Sequence, residues 1–306
     1  MDRIVVLLIL SVFFFFGEIQ AQDLEVITFN TALARALGHD YNPCVLSRLE
    51  ALIQYGIKPS SNPQVLMFQE VFSLEARNRL VRWAEENNYN YTKIYSQRTG
   101  LVTLTNLPIR DERFNVFSCQ DSFIRNFGTH NIEVRFKNHL VQVVNTHTYY
   151  SDGKAPGLCH VHNLSEIAER LNKIKGPRIF AGDINSGPNV AFFDEVYNQV
   201  KSNWEPFLAK MTPKYNRLST DKITWDISNP LSRPFSDPTN LSSAQIESHL
   251  SSTLDHLFAS PEIKLVSTDL VFNMPVPVNG CSNYEVEPGK TYLSDHYGVS
   301  TVVTME

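Results

Sequence analysis

The stretch Arg178-Ile179-Phe180-Ala181-Gly182-Asp183-Ile184-Asn185 most limits what this chain can fold into. Ile179, Phe180 and Ala181 predict a short buried strand. Gly187-Pro188 forces a turn just beyond it. In extended backbone, Asp183 and Asn185 point to the same face. A carboxylate and an amide so placed can receive a hard cation and a phosphoryl oxygen. Asp, Asn and Gly are equally ordinary turn residues. The stretch alone therefore leaves a simple turn and a site both open, and the other strand ends decide between them.

Residues 24–29 predict a first strand ending at Asn30. Pro43 suits a first helical turn, where its missing N–H is not needed. The helix it opens, over about 43–56, carries Val45, Leu46, Leu49, Leu52 and Ile53 on one face. Val65 to Phe68 predict a second strand with Gln69-Glu70 at its end. Ser73 caps the next helix, whose Leu74, Leu80, Val81 and Ala84 are expected to face a core. Two strands follow within 89–105, with further candidates at 114–117 and 123–127. Ile132 to Phe136 and Leu140 to Asn145 pair as a hairpin around Asn138-His139, and Thr146-His147 end its second arm. A Gly/Pro-containing loop over 149–158 leads to a helix over 162–173 with Leu164, Ile167, Ala168 and Leu171 inward. Another helix is expected at 190–200.

Residues 203–249 form a polar and aromatic insertion containing Thr224-Trp225-Asp226-Ile227-Ser228-Asn229-Pro230. That length makes it either functional or partly disordered. Strands are expected at 253–259 and 263–272, then a Pro-, Asn- and Gly-rich loop over 275–290. Ser294-Asp295-His296 feed a last strand over 297–303. Helices between strand groups, with hairpin pairs among them, predict an α+β domain of mixed sheets covered by helices.

Residues 4–17 are nearly all apolar and lead to Ile19-Gln20-Ala21. That is the length of a signal-peptide core, short for a membrane span. Residues 1–21 are therefore expected to be removed, leaving a secreted domain of residues 22–306. The segment carries Arg3 against Asp2 and Glu18, so the net charge moves from −5 to −4. No long basic tract offers a nucleic-acid footprint, and no stable nucleic-acid partner is expected. Weak negative charge excludes neither a lipid nor a nucleic-acid substrate, because a metal can supply the local positive field. Cys44, Cys119, Cys159 and Cys281 permit two disulfides in three pairings. Their spacing does not match a compact zinc site. Asn90, Asn163 and Asn240 each open a glycosylation triplet.

Six strand ends carry polar groups: Asn30, Glu70, His147, Asp183 with Asn185, Asp255, and Asp295-His296. Such a set suggests a convergent hydrolytic site. The pieces Phe68-Gln69-Glu70-Val71-Phe72, Thr146-His147, Gly182-Asp183-Ile184-Asn185, Leu254-Asp255-His256 and Ser294-Asp295-His296-Tyr297 resemble the endonuclease/exonuclease/phosphatase superfamily in content and order. The resemblance implies its DNase I-like fold, a four-layer α/β/β/α sandwich of two mixed sheets flanked by helices. Val71-Phe72 after Glu70, Thr224-Trp225-Asp226 with Asn229-Pro230, and cysteines flanking the strands before His147 are similar to secreted bacterial-type neutral sphingomyelinases.

That resemblance implies a monomeric Mg²⁺-dependent phosphodiesterase acting on sphingomyelin or a related choline phospholipid through peripheral membrane contact. Glu70 is then the direct metal ligand and Asn30 assists the metal shell. Asp295 orients His296, which takes a proton from water. Asp183 positions that water, and Asn185 donates to a phosphoryl oxygen. His147 stabilises phosphoryl charge, and Asp255 buttresses the histidines or a second metal region. The resemblance also pairs Cys119 with Cys159, leaving Cys44 and Cys281. Tyr149, Tyr150 and Trp225 are candidates for the choline ammonium, and Asp152 for a metal or lipid site. His256 is expected to be architecture, and His130, His139, His160 and His162 to be surface or local structural histidines.

Thr148-Tyr149-Tyr150 departs from the family pattern after His147. Residues 272–293 offer only Phe272, Met274, Tyr284 and Tyr292 as a membrane foot. A secreted nuclease, an inositol-lipid phosphatase and a non-catalytic binding protein on the same scaffold are the alternatives.

Overall fold

The central strands are apolar on both sides, so each sheet must be covered twice. The computed structural model describes residues 23–36, 39–40, 42–94, 98–120, 126–149, 158–188, 203–219, 221–226, 228–235 and 251–306. The expected signal segment, the helix at 190–200, Tyr150, Asp152 and Asn240 lie outside them.

The first sheet uses β1 (Leu24–Asn30), β2 (Gln64–Gln69), β3 (Asn90–Tyr91) and β4 (Val102–Thr105). The second uses β5 (Ile109–Val116), β6 (Gly128–Phe136), β7 (His139–His147), β8 (Arg178–Asp183), β9 (Asn216–Arg217) and β10 (Asp255–Ala259). The chain then returns to the first sheet with β11 (Lys264–Val271) and β12 (Gly298–Thr304). The two six-stranded orders are β11-β12-β1-β2-β4-β3 and β9-β10-β8-β7-β6-β5. Each sheet holds one parallel pair at its middle, β1–β2 and β7–β8. The helical crossovers are α1 (Val45–Ala51), continued by a π-helical turn over Leu52–Gly56, and α3 (Leu158–Lys173). The other pairings are antiparallel. Helices α2 (Leu74–Glu86) and α4 (Trp204–Met211) complete the outer layers.

Alternation along the strands divides the apolar residues among three cores. Val26, Val65, Met67, Val143, Ile179, Ala181 and Leu257 meet between the sheets. Phe29, Leu66 and Phe68 face Val45 and Leu49 of α1 and Leu80 and Trp83 of α2. Val144, Phe180 and Phe258 face Ile167 and Leu171 of α3 and Trp204 and Phe207 of α4. This is the expected four-layer α/β/β/α sandwich. Each fully buried Val, Leu, Ile or Phe contributes roughly 1.5–3 kcal/mol.

Several local expectations are corrected. Leu74, the first residue of α2, is exposed; the helix packs through Ala76, Leu80, Trp83 and Ala84 instead. Ser73 does cap it, accepting from the Ala76 N–H at 3.3 Å. The β6–β7 turn is Lys137-Asn138, with Lys137 at φ 51°. Phe127 lies outside any strand but is buried beside α3. The insertion holds α4, whose Trp204, Phe207 and Met211 recur at helical spacing and are buried. Asn163 is buried and donates to the Cys119 carbonyl, so no glycan fits there. Cys119 pairs with Cys159, and Cys44 with Cys281.

Candidate active site

The inter-sheet core ends in polar groups at one rim. Asn30 continues the register of Val26, His147 that of Val143, Asp183 that of Ile179, and Asp255 that of Leu257. All four therefore leave their strands on inward faces. The side chains of Gln69 and Asn145 bond across the sheets at 2.8 Å just below them. Glu70 follows β2 in a left-handed conformation, φ 58°. This rim is the C-terminal end of both parallel pairs, where α/β arrangements generally form their sites.

The Gly182-Asp183-Ile184-Asn185 stretch shows why glycine is needed. A Cβ on Gly182 would sit 2.0 Å from the Thr146 carbonyl oxygen, and one on Gly187 would sit 1.9 Å from that of Thr253. Beyond Asp183 the backbone stops being extended, and Asn185 lies at φ 49°. Its N–H donates to Asp183 Oδ1 at 2.8 Å, and its side-chain amide donates to the Thr148 carbonyl at 3.0 Å. The shared face expected for Asp183 and Asn185 is therefore replaced by a turn. One amide hydrogen of Asn185 remains for another acceptor.

Asp183 is the hub. Its Oδ2 accepts from Asn30 Nδ2 at 2.9 Å and lies 3.6 Å from His147 Nε2 and 3.8 Å from His296 Nε2. Glu70 Oε1 accepts from Asn30 Nδ2 at 3.3 Å and lies 3.8 Å from His147 Nε2. His296 Nδ1 is 2.8 Å from Asp255 Oδ2. A carboxylate only accepts, so Nδ1 carries the proton and Nε2 faces Asp183. The expected partner, Asp295, instead accepts from Ser294 Oγ at 3.0 Å. Asp255, arriving from the neighbouring sheet, is the carboxylate aimed at the ring.

Burial raises the pKa of Asp183, and the nearby Asp255 raises it further; His296, Asn30 and the Asn185 N–H oppose this, leaving it at about 7. Burial disfavours the His296 imidazolium, but Asp255, Asp183 and Asp295 outweigh it and lift the ring to about 10. Release of that proton near neutrality depends on positive charge reaching the carboxylates.

The donor set fits a hard divalent cation. Asp183, Asp255 and His296 each present an atom within 4.8 Å of the others. Asp255 Oδ1 is buried without a hydrogen-bond partner. Burial first, and then the charge of Asp255, drive Asp183 upward, and a cation would offset the second of these. Carboxylate oxygens suit Mg²⁺-like ions. Asn30 was expected to assist the metal shell, and it touches two of the site's carboxylates, those of Glu70 and Asp183. Its oxygen accepts from the Ala32 N–H at 3.1 Å, so its nitrogen faces the carboxylates and orients them.

Of three supports beneath the site, His160 and His256 were expected as structural histidines, whereas Arg48 was not anticipated. Arg48, fully buried, donates to the carbonyls of Pro43, Thr31, Ala32 and Leu293 at 2.6–3.0 Å. It joins the loop after Asn30 to the loop before His296. Burial lowers its pKa to about 10, against opposing attraction from Asp295, Asp40 and Glu70. His160 and His256 lie close to the Ile184 and Ser186 carbonyls, each at 2.8 Å. Both stay neutral because burial depresses them, His160 to about 4 and His256, with help from Arg217, to about 3. For Arg48 the available signal was an arginine on the apolar face of a short helix.

Tyr149 is corrected: it is buried edge-on to Phe127 and presents no open face. Trp225 pairs with His296 in an antiparallel bridge, which places both side chains on one face. On the loop before Ser294, Phe272 packs on Phe29 and Tyr292 on Tyr297, leaving Met274 as the exposed apolar group among the four expected. No helix among the described residues is long and apolar enough to cross a membrane.

Residues 27–296 match the Endonuclease/Exonuclease/phosphatase family. No curated protein matches the chain. Among solved structures, beta toxin from Staphylococcus aureus superposes with a TM-score of 0.63 at 17% identity, covering 93% of this chain and 100% of that one. Sphingomyelinase C from Streptomyces griseocarneus gives 0.60 at 18%, covering 92% and 99%. TDP2 from D. rerio, complexed with a single-strand DNA product, gives 0.60 at 12%, covering 92% and 99%. At these identities the likeness establishes the fold.

Proposed function

The chain belongs to the endonuclease/exonuclease/phosphatase family, and from that premise we propose that it is a secreted, Mg²⁺-dependent phosphodiesterase converting sphingomyelin to ceramide and phosphocholine. The observation that carries the reading is the convergence of Glu70, Asp183, His147 and the Asp255–His296 pair at one buried rim. The lipid reading draws on Val71-Phe72, on Trp225 beside His296, and on the absence of a long basic tract in the sequence. Two disulfides accord with an oxidising, extracellular setting.

Glu70 is the principal metal ligand in this reading, with Asp183 beside it. The bound cation supplies charge neutralisation and polarisation of a phosphoryl oxygen. Asp183 Oδ2 and His296 Nε2, 3.8 Å apart, can both reach one water. His296 takes its proton as the water oxygen bonds phosphorus, while Asp255 holds the ring and stabilises its charge. His147 Nε2 and the free amide hydrogen of Asn185 donate toward the developing charge. The bond from phosphorus to the ceramide oxygen breaks, and that oxygen takes a proton.

Purified protein should release phosphocholine from sphingomyelin vesicles with Mg²⁺, and EDTA should abolish the release. Plasmid DNA is assayed beside it. Cleavage of DNA without phosphocholine release overturns the lipid reading in favour of a nuclease. Turnover of neither substrate favours a non-catalytic scaffold.

A further inference from the structure

Thr224 stands where three pieces of the site meet. It is fully buried. Its hydroxyl oxygen accepts from two backbone N–H groups, Leu254 at 2.9 Å and Asp255 at 3.1 Å. Its own N–H donates to the Ser252 carbonyl at 2.9 Å, and its carbonyl accepts from the Tyr297 N–H at 2.6 Å. Leu254 in turn accepts the Ile184 N–H at 3.0 Å. Trp225, the next residue, bridges to His296. One residue thus holds the backbone entering Asp255 and the backbone leaving His296. Through Leu254 it also reaches the turn after Asp183.

We infer that Thr224 is a positioning residue whose hydroxyl sets the distance between the Asp255 carboxylate and the His296 ring. Its kinetic consequence rests on the phosphodiesterase reading above; its geometric consequence does not. The contact between Asp255 Oδ2 and His296 Nδ1 is 2.8 Å, and a hydrogen bond of this kind weakens steeply as it lengthens and bends. Valine has the shape of threonine but no acceptor. In Thr224→Val, the Leu254 and Asp255 N–H groups are left buried and unpaired, which drives the start of β10 to shift. Serine keeps the acceptor and removes only the methyl group.

The test uses the full protein labelled with ¹⁵N-histidine, in wild-type form and as Thr224→Val, Thr224→Ser and Thr224→Ala. The first readout is the Nδ1–H proton resonance of His296, assigned by its loss in His296→Gln. The second is kcat and KM with Mg²⁺ on bis(p-nitrophenyl) phosphate, an activated diester that needs no lipid surface. Thr224→Val is expected to shift or broaden the resonance. It should also lower kcat about 10- to 100-fold, the range typical of displaced supporting groups, with KM within about twofold. Thr224→Ser should keep the resonance and most of kcat. If Thr224→Val does not fold, Thr224→Ala, which opens room for water, is expected to show the same losses. An unchanged resonance and kcat in whichever of these two variants folds overturns the inference. So does a serine variant as impaired as valine, because the hydroxyl is then not the cause. If wild type turns over no phosphodiester at all, the functional reading fails, and the resonance still decides the role of Thr224.

Discussion

At the scale of the residue, the chemistry depends on which of two aspartates meets His296. Asp295 is its neighbour in the chain, but its carboxylate is bonded to Ser294. Asp255 comes from another strand and makes the 2.8 Å contact. Both raise the ring's pKa by charge, yet only Asp255 adds a hydrogen bond. Asp255→Asn is therefore expected to bring the His296 titration down from about 10 toward the ordinary histidine range, and to lower kcat by about 100-fold or more. Asp295→Asn should move the titration much less. Histidine NMR titrations of the two variants decide the matter, and a larger shift from Asp295→Asn would reverse the assignment. Arg48 belongs to this scale too, since its four donated bonds span the loops of Asn30 and His296. Arg48→Met leaves four carbonyls without that donor and should cost several kcal/mol of stability, at about 1–3 kcal/mol for each buried group left unpaired.

At the scale of the element, the turn after β8 is held by neighbouring elements rather than by its own sequence. His160 on α3 and His256 on β10 contact its carbonyls while neutral and buried. Their folded pKa values, about 4 and about 3, lie below the unfolded value near 6.5. For a base depressed in this way, stability is fully present above pH 6.5 and is lost as pH falls toward the folded pKa. Between pH 7 and pH 5 each ring removes about 2 kcal/mol. Urea unfolding at the two pH values should show a smaller acid loss in His160→Gln than in wild type, the difference being about that amount. An equal loss in both proteins would mean that His160 does not titrate across unfolding.

At the scale of the whole molecule, the two disulfides close loops of very different length. Cys44–Cys281 spans 237 positions and joins α1 to the loop before His296, whereas Cys119–Cys159 spans 40. Chain entropy assigns them about 5 and about 4 kcal/mol. The Cys44→Ser/Cys281→Ser double variant should have the lower urea midpoint of the two double variants, and the opposite order would show that strain or local packing governs. The layered architecture itself was legible in the sequence. Apolar runs such as Ile179 to Ala181 require cover on both faces, and helical spacing over 162–173 supplies it. The polar strand ends were legible as well, because alternation fixes which face a side chain takes. Hence Asp183 continues the inward register of Ile179, whereas His256 follows Phe258 outward onto Trp204. Periodicity is local, so the inward polar residues and the sheets that carry them could be read from the chain. Contacts across the fold decided that Asp255 rather than Asp295 meets His296 and that Tyr149 is core. Those outcomes depend on contacts between residues far apart in the chain, and no local pattern encodes which of two suitable groups the fold brings within a hydrogen bond.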